Sequence, residues 1–230
     1  MAGRLPFAAA AGAVLVSAVI ASPADAADAR LPEIQVIEQA ERADGPVDGY
    51  RATQSSTATK TDTPLKDVPA SITVVPAQLI EDQAMKGMGD VFRYVPGVLM
   101  HQGEGNRDQI VIRGISTTAD FYLNGVRDDA QIFRDLYNVE RVEVLKGPEG
   151  MIFGRGGAGG IVNRITKKPA FDHVGEATLT LGSFDQSRST VDYGNKVGDS
   201  AAYRINAMAD RKSTCLNSSH EWISRMPSSA

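Results

Sequence analysis

Across residues 65–169 the apolar positions fall into short periodic runs separated by turn residues, the texture of a packed α+β unit. Residues 71–75 read as a strand, and Pro76 stands where a helix can begin, because proline lacks only a hydrogen bond that the first turn does not make. Met88, Val91, Phe92 and Val95 then repeat at helical spacing until Pro96-Gly97 stops the run. "QIVIRGI" (109–115) reads as a strand. In "FYLNGVRDD", Asn124-Gly125 is the strongest short hairpin signal, since both central residues of that turn need positive φ. "VERVEVLKG" alternates Val139, Val142 and Val144 with charges imperfectly and still reads as a strand, as does "GGIVNRITKKP". Past His173 the period becomes two: Ala177, Leu179 and Leu181 alternate with Glu176, Thr178 and Thr180. Val191 with Tyr193, and then Ala201, Tyr203, Ile205 and Ala207 against Arg204 and Asn206, repeat that dyad around turns such as Gly198-Asp199.

Two architectures produce such alternation. Lipid-facing and lumen-facing sides of a membrane barrel do so, and so does a soluble antiparallel sheet with one wet face. The ends of the chain bear on the choice. Residues 1–26 read as a secretory signal, with Arg4 ahead of an Ala-rich apolar run and small residues at Ala24-Asp25-Ala26 for cleavage. Residues 27–64 hold a short β-prone segment, "LPEIQVIEQ", followed by Ala, Asp, Gly, Ser and Thr, a composition expected to form a mobile tether. Residues 210–230 break the strand pattern, hold the only Cys and Trp, and resemble the translation of a sequencing adapter, so the credible sequence ends near Ala209. An exported chain without cysteine in its body has no disulfide framework. A formal charge of −4 with no basic block gives no support to nucleic-acid binding.

Residues 142–169 place Gly147, Gly150, Gly154, Gly156, Gly157, Gly159 and Gly160 between two apolar runs. A phosphate-binding loop would need Gly-Lys-Ser/Thr after the second spaced glycine, and Arg155-Gly156 stands there instead. A dinucleotide fingerprint would open a long helix, whereas "IVNRITKK" reads as strand. The remaining reason for so much bare backbone is positive φ and close approach to another surface. No nucleophile-base pairing or metal-ligand spacing stands out, and His101 and His173 are too far apart in sequence to suggest a metal site.

At this point "DVPASITVVPAQLIEDQ", "IRG", "YLNGVRDD", "NVERVEVLKGP" and "FGRGGAGGIVNRITKKP" occur in the order found in the plug of TonB-dependent outer-membrane receptors. With "GEGNRDQIVIRG", the chain most resembles the catecholate-siderophore branch. The resemblance implies an α+β plug domain (65–169) followed by the first strands (170–209) of a transmembrane antiparallel β-barrel, 22-stranded in the family and incomplete here. It implies transport and not catalysis, a Gram-negative outer-membrane location, and a ferric siderophore as cargo with no cofactor or metal bound by the protein itself. A cobalamin or another metal chelate is the alternative cargo.

The same resemblance assigns residues. Glu33, Ile34, Gln35, Val36, Ile37 and Glu38 become the box that adds as a strand to the energy-transducing protein TonB. Arg107, Arg127, Gln131, Arg134 and Tyr137 become candidate contacts to an anionic chelate, for which forked guanidinium donors are suited. Arg113 and Arg141 become a latch to carboxylates on the barrel wall, with ordinary pairing inside the plug as the competing reading. A receptor that also signals to a sigma-factor regulator would need an extra domain ahead of residue 65, and a porin would need neither plug motifs nor a box.

Overall fold

The computed structural model describes residues 41–101, 105–154, 157–183 and 185–211. The chain divides into two units, Met1–Gln39 and Ala40–Ala230, and every described residue belongs to the second. The signal segment and the box at 33–38 lie outside the described residues, as does everything after Arg211. In chain order the elements are β1 (Gln54–Ser55), β2 (Thr63–Pro64), β3 (Ser71–Pro76), α1 (Ala77–Asp82), α2 (Met88–Phe92), β4 (Val98–His101), β5 (Gln109–Ile112), β6 (Ile115–Thr117), β7 (Phe121–Leu123), β8 (Val126–Arg127), β9 (Val139–Lys146), β10 (Gly160–Thr166), β11 (Val174–Leu181), β12 (Ser187–Val197) and β13 (Ala201–Arg211).

The centre of the molecule is a five-stranded sheet in the order β3-β9-β10-β7-β8, with β10 and β7 parallel and the other pairs antiparallel. On one face Val142, Val144, Val162, Phe121 and Val75 pack against Ile80 of α1, Met88, Val91 and Phe92 of α2, and Ile110 and Ile112 of β5. This apolar layer explains the helical spacing read around Met88, and the Pro76 position: proline directly precedes α1 and caps it in an extended conformation.

The opposite face carries Arg141, Glu143, Leu145, Ile161, Asn163 and Tyr122, and it is covered by residues 41–63. Strand β9 is therefore buried on both sides, which is why its charges broke the expected alternation. Here the structure corrects the tether expectation, because residues 41–63 are packed. Ala43, Ala52, Ser55 and Thr57 are buried. Low hydrophobicity argues only that a segment buries little apolar surface. This one is held instead by polar groups of the sheet, and its small side chains let its carbonyls reach them.

A second correction concerns 109–115. The strand stops at Ile112, and Arg113 (φ 52) and Gly114 (φ 81) make a two-residue reversal into β6, with Ile112 paired to Ile115. The Asn124-Gly125 hairpin forms as read, at φ 50 and 82, and folds back on β10 through paired bonds between Asn124 and Thr166. The last three strands form their own antiparallel sheet, β11-β12-β13, and β13 runs two residues past the expected boundary to Arg211.

Candidate functional site

Of the five residues proposed to meet a ligand, two come together. Arg107 donates to the side-chain carbonyl of Gln131, linking the loop before β5 to the loop before β9. Next to Gln131 stand Ile132 and Phe133, both about half exposed, an apolar and aromatic surface that the sequence reading passed over. "AQIF" has no periodicity to mark it, and exposed Phe is visible only once the loop is folded.

Arg134 goes elsewhere. Its side chain is fully buried: Nε donates to Asp128 (3.1 Å), Nη1 to the Ile132 carbonyl (3.2 Å), and Nη2 to the Asp128 and Ala130 carbonyls (2.7 Å each). Asp108 lies 3.8 Å from it, Arg164 shares Asp128, and the guanidinium sits 4.1 Å from the Phe121 ring centroid. Burial pushes the Asp108 carboxyl up, opposed by the Arg134 amide and charge. With each of its three nitrogens bonded inside the plug, Arg134 is a structural residue, not a ligand contact. Arg127 is likewise turned inward, donating to the Ala119 carbonyl and the Tyr122 hydroxyl, both at 2.9 Å, and pairing with Asp120. Tyr137 lines a different place, a crevice of about 260 Å³ shared by Ile80, Glu81, Lys167, Arg188 and Asp192.

That crevice lies between the plug and the β11-β12-β13 sheet, and it separates the two architectures left open by the dyad pattern. A soluble sheet would turn its apolar side to the core. Here the polar side faces inward: Arg188 binds Asp135 through two bonds (2.8 and 2.6 Å), Asp192 binds Lys167 (3.0 Å), and Arg204 lies 3.7 Å from Glu140. Leu179, Leu181, Val191, Tyr193, Val197 and Ile205 are exposed on the other side. An outward apolar band on a sheet wrapped over a polar lumen is the wall of a membrane barrel.

The family profile described as the TonB-dependent Receptor Plug Domain matches residues 64–161. The chain belongs to the TonB-dependent receptor family. The probable TonB-dependent receptor BfrD of Bordetella pertussis is 36% identical over 161 residues, covering 69% of this chain and 22% of the relative. The catecholate siderophore receptor Fiu of Escherichia coli K12 is 37% identical over 165 residues, covering 70% and 22%. The crystal structure of the ferric-catecholate import receptor Fiu in its open form superposes with a TM-score of 0.62 at 34% identity, covering 74% of this chain and 24% of that one. The chain thus spans about a fifth of the length of these curated relatives, the part holding a TonB-dependent receptor's plug and first strands.

The expected latch takes a different form. Arg141 is fully buried, and its partners lie in residues 41–54 and on its own strand: the carbonyls of Gln54 (3.1 Å), Arg42 (2.9 Å) and Gly45, with Glu41 at 3.5 Å and Glu143 at 3.8 Å. Arg113 sits on an exposed turn, its guanidinium laid over the Gly147 backbone, and no carboxylate among the described residues pairs with it. Plug-to-wall pairs form elsewhere and with both polarities: plug carboxylates meet strand arginines in Asp135 with Arg188 and Glu140 with Arg204, and a plug lysine meets a strand carboxylate in Lys167 with Asp192. No cluster of metal-ligating side chains occurs among the described residues.

The Asp135 pair carries a pH prediction. Burial raises this carboxyl, but the Arg188 bonds and the amides of Tyr137 and Leu136 outweigh it and leave it below its ordinary value. A depressed carboxylate stabilises above its unfolded value, about 3.9, and loses that contribution as pH falls through its folded value. Protection factors of the full-length receptor, exchange corrected for its intrinsic pH dependence, should therefore stay flat down to about pH 4 and then fall at 135–137 and along β12. A loosening that began near neutral pH would contradict this.

Proposed function

We propose that this chain is the N-terminal part of an outer-membrane receptor for TonB-dependent uptake of ferric siderophores of the catecholate type. The observation that carries the reading is the plug itself, continuous with a wall that is polar toward it and apolar away from it. Sequence and fold likeness to a catecholate siderophore receptor supports this cargo over a cobalamin or another chelate. In this reading the signal segment directs export, the box at 33–38 binds TonB by strand addition, and lipid covers the outward face of β11–β13. The chelator supplies the iron ligands. Arg107 and Gln131 offer donors to anionic oxygens, and Phe133 beside them offers a ring face to catechol.

The test is growth. The gene's complete reading frame, expressed in Escherichia coli stripped of its own catecholate receptors, should restore growth on a ferric catecholate under iron limitation. Deleting TonB should abolish that rescue. Growth that persists without TonB, or no binding of any ferric catecholate by the purified receptor, would refute the reading. Within it, the double change Arg107→Ala, Gln131→Ala should weaken ferric-catecholate binding about tenfold, the scale of one lost charge-assisted hydrogen bond. Fluorescence quenching by the ferric chelate would measure it, with Arg127→Ala as the comparison expected to alter folding more than affinity.

A further inference from the structure

Residues 107–108, at the entrance to β5, run beside residues 131–134, and one side chain ties the two segments together. The Asp108 amide donates to the Ile132 carbonyl (3.2 Å), and the Asp108 carboxylate accepts from the Arg134 amide (2.8 Å). Asp108 is only 3% exposed, and two positions further on Ile110 enters the apolar layer, so the tie is mounted on the packed part of the plug. The groups read above as ligand contacts adjoin it. Arg107 directly precedes Asp108, Gln131 directly precedes the tied Ile132, and Phe133 falls between the two tied residues and is about half exposed. Asp108 is not needed to neutralise Arg134, because Asp128 stands nearer to that guanidinium, at 3.1 Å against 3.8 Å. Its short contact is with the main chain.

We infer that Asp108 is a positioning residue of the ligand site: it touches no chelate itself, and its tie to residues 132 and 134 holds Arg107 beside Gln131 and keeps Phe133 at the surface. Residues 128–138 belong to no named strand, and the only bridge among them joins Asp135 to Gly87, so no sheet ladder orders the 131–133 side. Ordering a loop and its long side chains at the moment of binding costs affinity, whereas order already present in the folded protein does not. A carboxylate suits the task because it gives a main-chain N–H a charged acceptor, a stronger bond than a neutral one. Burial pushes this carboxyl up, and the Arg134 amide and charge oppose that shift, so the tie itself helps to keep the group ionised. The inference rests on the proposed reading for the identity of the ligand, but not for the existence of the tie.

Two measurements on the full-length receptor test it, and the first needs no ligand. Hydrogen exchange should find the Arg134 amide protected in the parent, although Ile132 and Phe133 beside it are about half exposed. Asp108→Ala should speed exchange of that amide about tenfold or more and leave β5 and β10 as they were, because a loop opens without the core. Asp108→Asn keeps a side-chain oxygen for the Arg134 amide and should exchange nearly as the parent does. Unchanged exchange at Arg134 in Asp108→Ala would overturn the inference. If the alanine variant does not fold, Asp108→Ser, whose hydroxyl stops short of the amide, takes its place in both measurements.

The second measurement is affinity for a ferric catecholate, read by fluorescence quenching. Asp108→Ala should weaken binding about tenfold, the scale of ordering a few freed side chains at each binding event. Asp108→Asn should stay within about threefold of the parent, since the bond to the Arg134 amide survives. In a receptor already carrying Arg107→Ala, Gln131→Ala and Phe133→Ala, the alanine change at 108 has nothing left to position and should alter affinity by less than about twofold. A residue that only stabilised the plug would cost affinity equally in both backgrounds. That result, or parent affinity in Asp108→Ala, would overturn the inference. An unmodified receptor that binds no ferric catecholate would defeat the functional reading and the positioning role with it, whereas failure of the variants against a binding parent defeats the role alone.

Discussion

Arg134→Ala is expected to loosen the plug by about 3–5 kcal/mol, the cost of breaking a buried ion pair from one side. The change leaves Asp108 and Asp128 facing each other and Arg164 across the space the guanidinium filled, and it takes a donor from the carbonyls of Asp128, Ala130 and Ile132, of which the last two keep the amides of Ile132 and Asp108. Buried acceptors without partners are costly in themselves. Asp108, already pushed up by burial, loses the charge that opposes that shift and becomes easier to protonate. Hydrogen exchange of the full-length receptor would show faster exchange at 128–136 and along β10 by about two to three and a half powers of ten, since each 1.4 kcal/mol is tenfold. Arg134→Lys keeps the charge but not the fork, and should fall between the two. If Arg134 were a ligand contact instead, the alanine variant would lose chelate affinity while its exchange stayed that of the parent receptor.

The fate of Arg134 shows where sequence reading stopped. Strands 71–76, 139–146 and 160–166 and the hairpin at Asn124-Gly125 were legible because each is set locally, the strands by short β-branched apolar runs bounded by turn residues and the hairpin by a turn chemistry only certain residues satisfy. The outward dyad on β11–β13 was legible for the same reason, though its orientation was not. Only the folded arrangement puts Arg188 and Asp192 toward the plug and Leu179 away from it. An arginine in a loop, by contrast, carries no mark of which way it points. Arg107 and Arg134 each lie in a loop directly before an aspartate, yet one reaches Gln131 at the surface and the other is drawn inside by carboxylates at positions 108 and 128. The packing of residues 41–63 was missed for a related reason: their partners, Arg141, Glu143 and Asn163, lie about a hundred residues away in sequence. Nothing in a short window of Ala, Gly, Ser and Thr reveals a distant arginine waiting for carbonyls.

The glycine run yields the other large effect. Gly160→Ala is expected to cost about 4 kcal/mol or more, at the far end of what single changes do. Gly160 opens β10 at φ 141, and a Cβ there would stand 2.2 Å from the Leu145 carbonyl oxygen and 3.0 Å from the Lys146 Cα. Neither neighbour is the movable tip of a side chain. Both are backbone of β9, the strand that holds Arg141 and Glu143, so relief would require β10 to leave its register with β9. Its neighbour Gly159 stands equally close to the other layer, with the Ile112 carbonyl 2.4 Å from the place of a Cβ. Gly114→Ala supplies the contrast, because Gly114 has φ 81 but open space around it, and should cost only about 1–2 kcal/mol of left-handed strain. Trypsin resistance of β9 and β10 peptides in the full-length receptor would compare the two. Loss of resistance in Gly160→Ala with retention in Gly114→Ala would mean that the run serves the close approach of three chain segments. Equal tolerance would mean that positive φ alone explains these glycines, and that the sheet has slack where the geometry shows none.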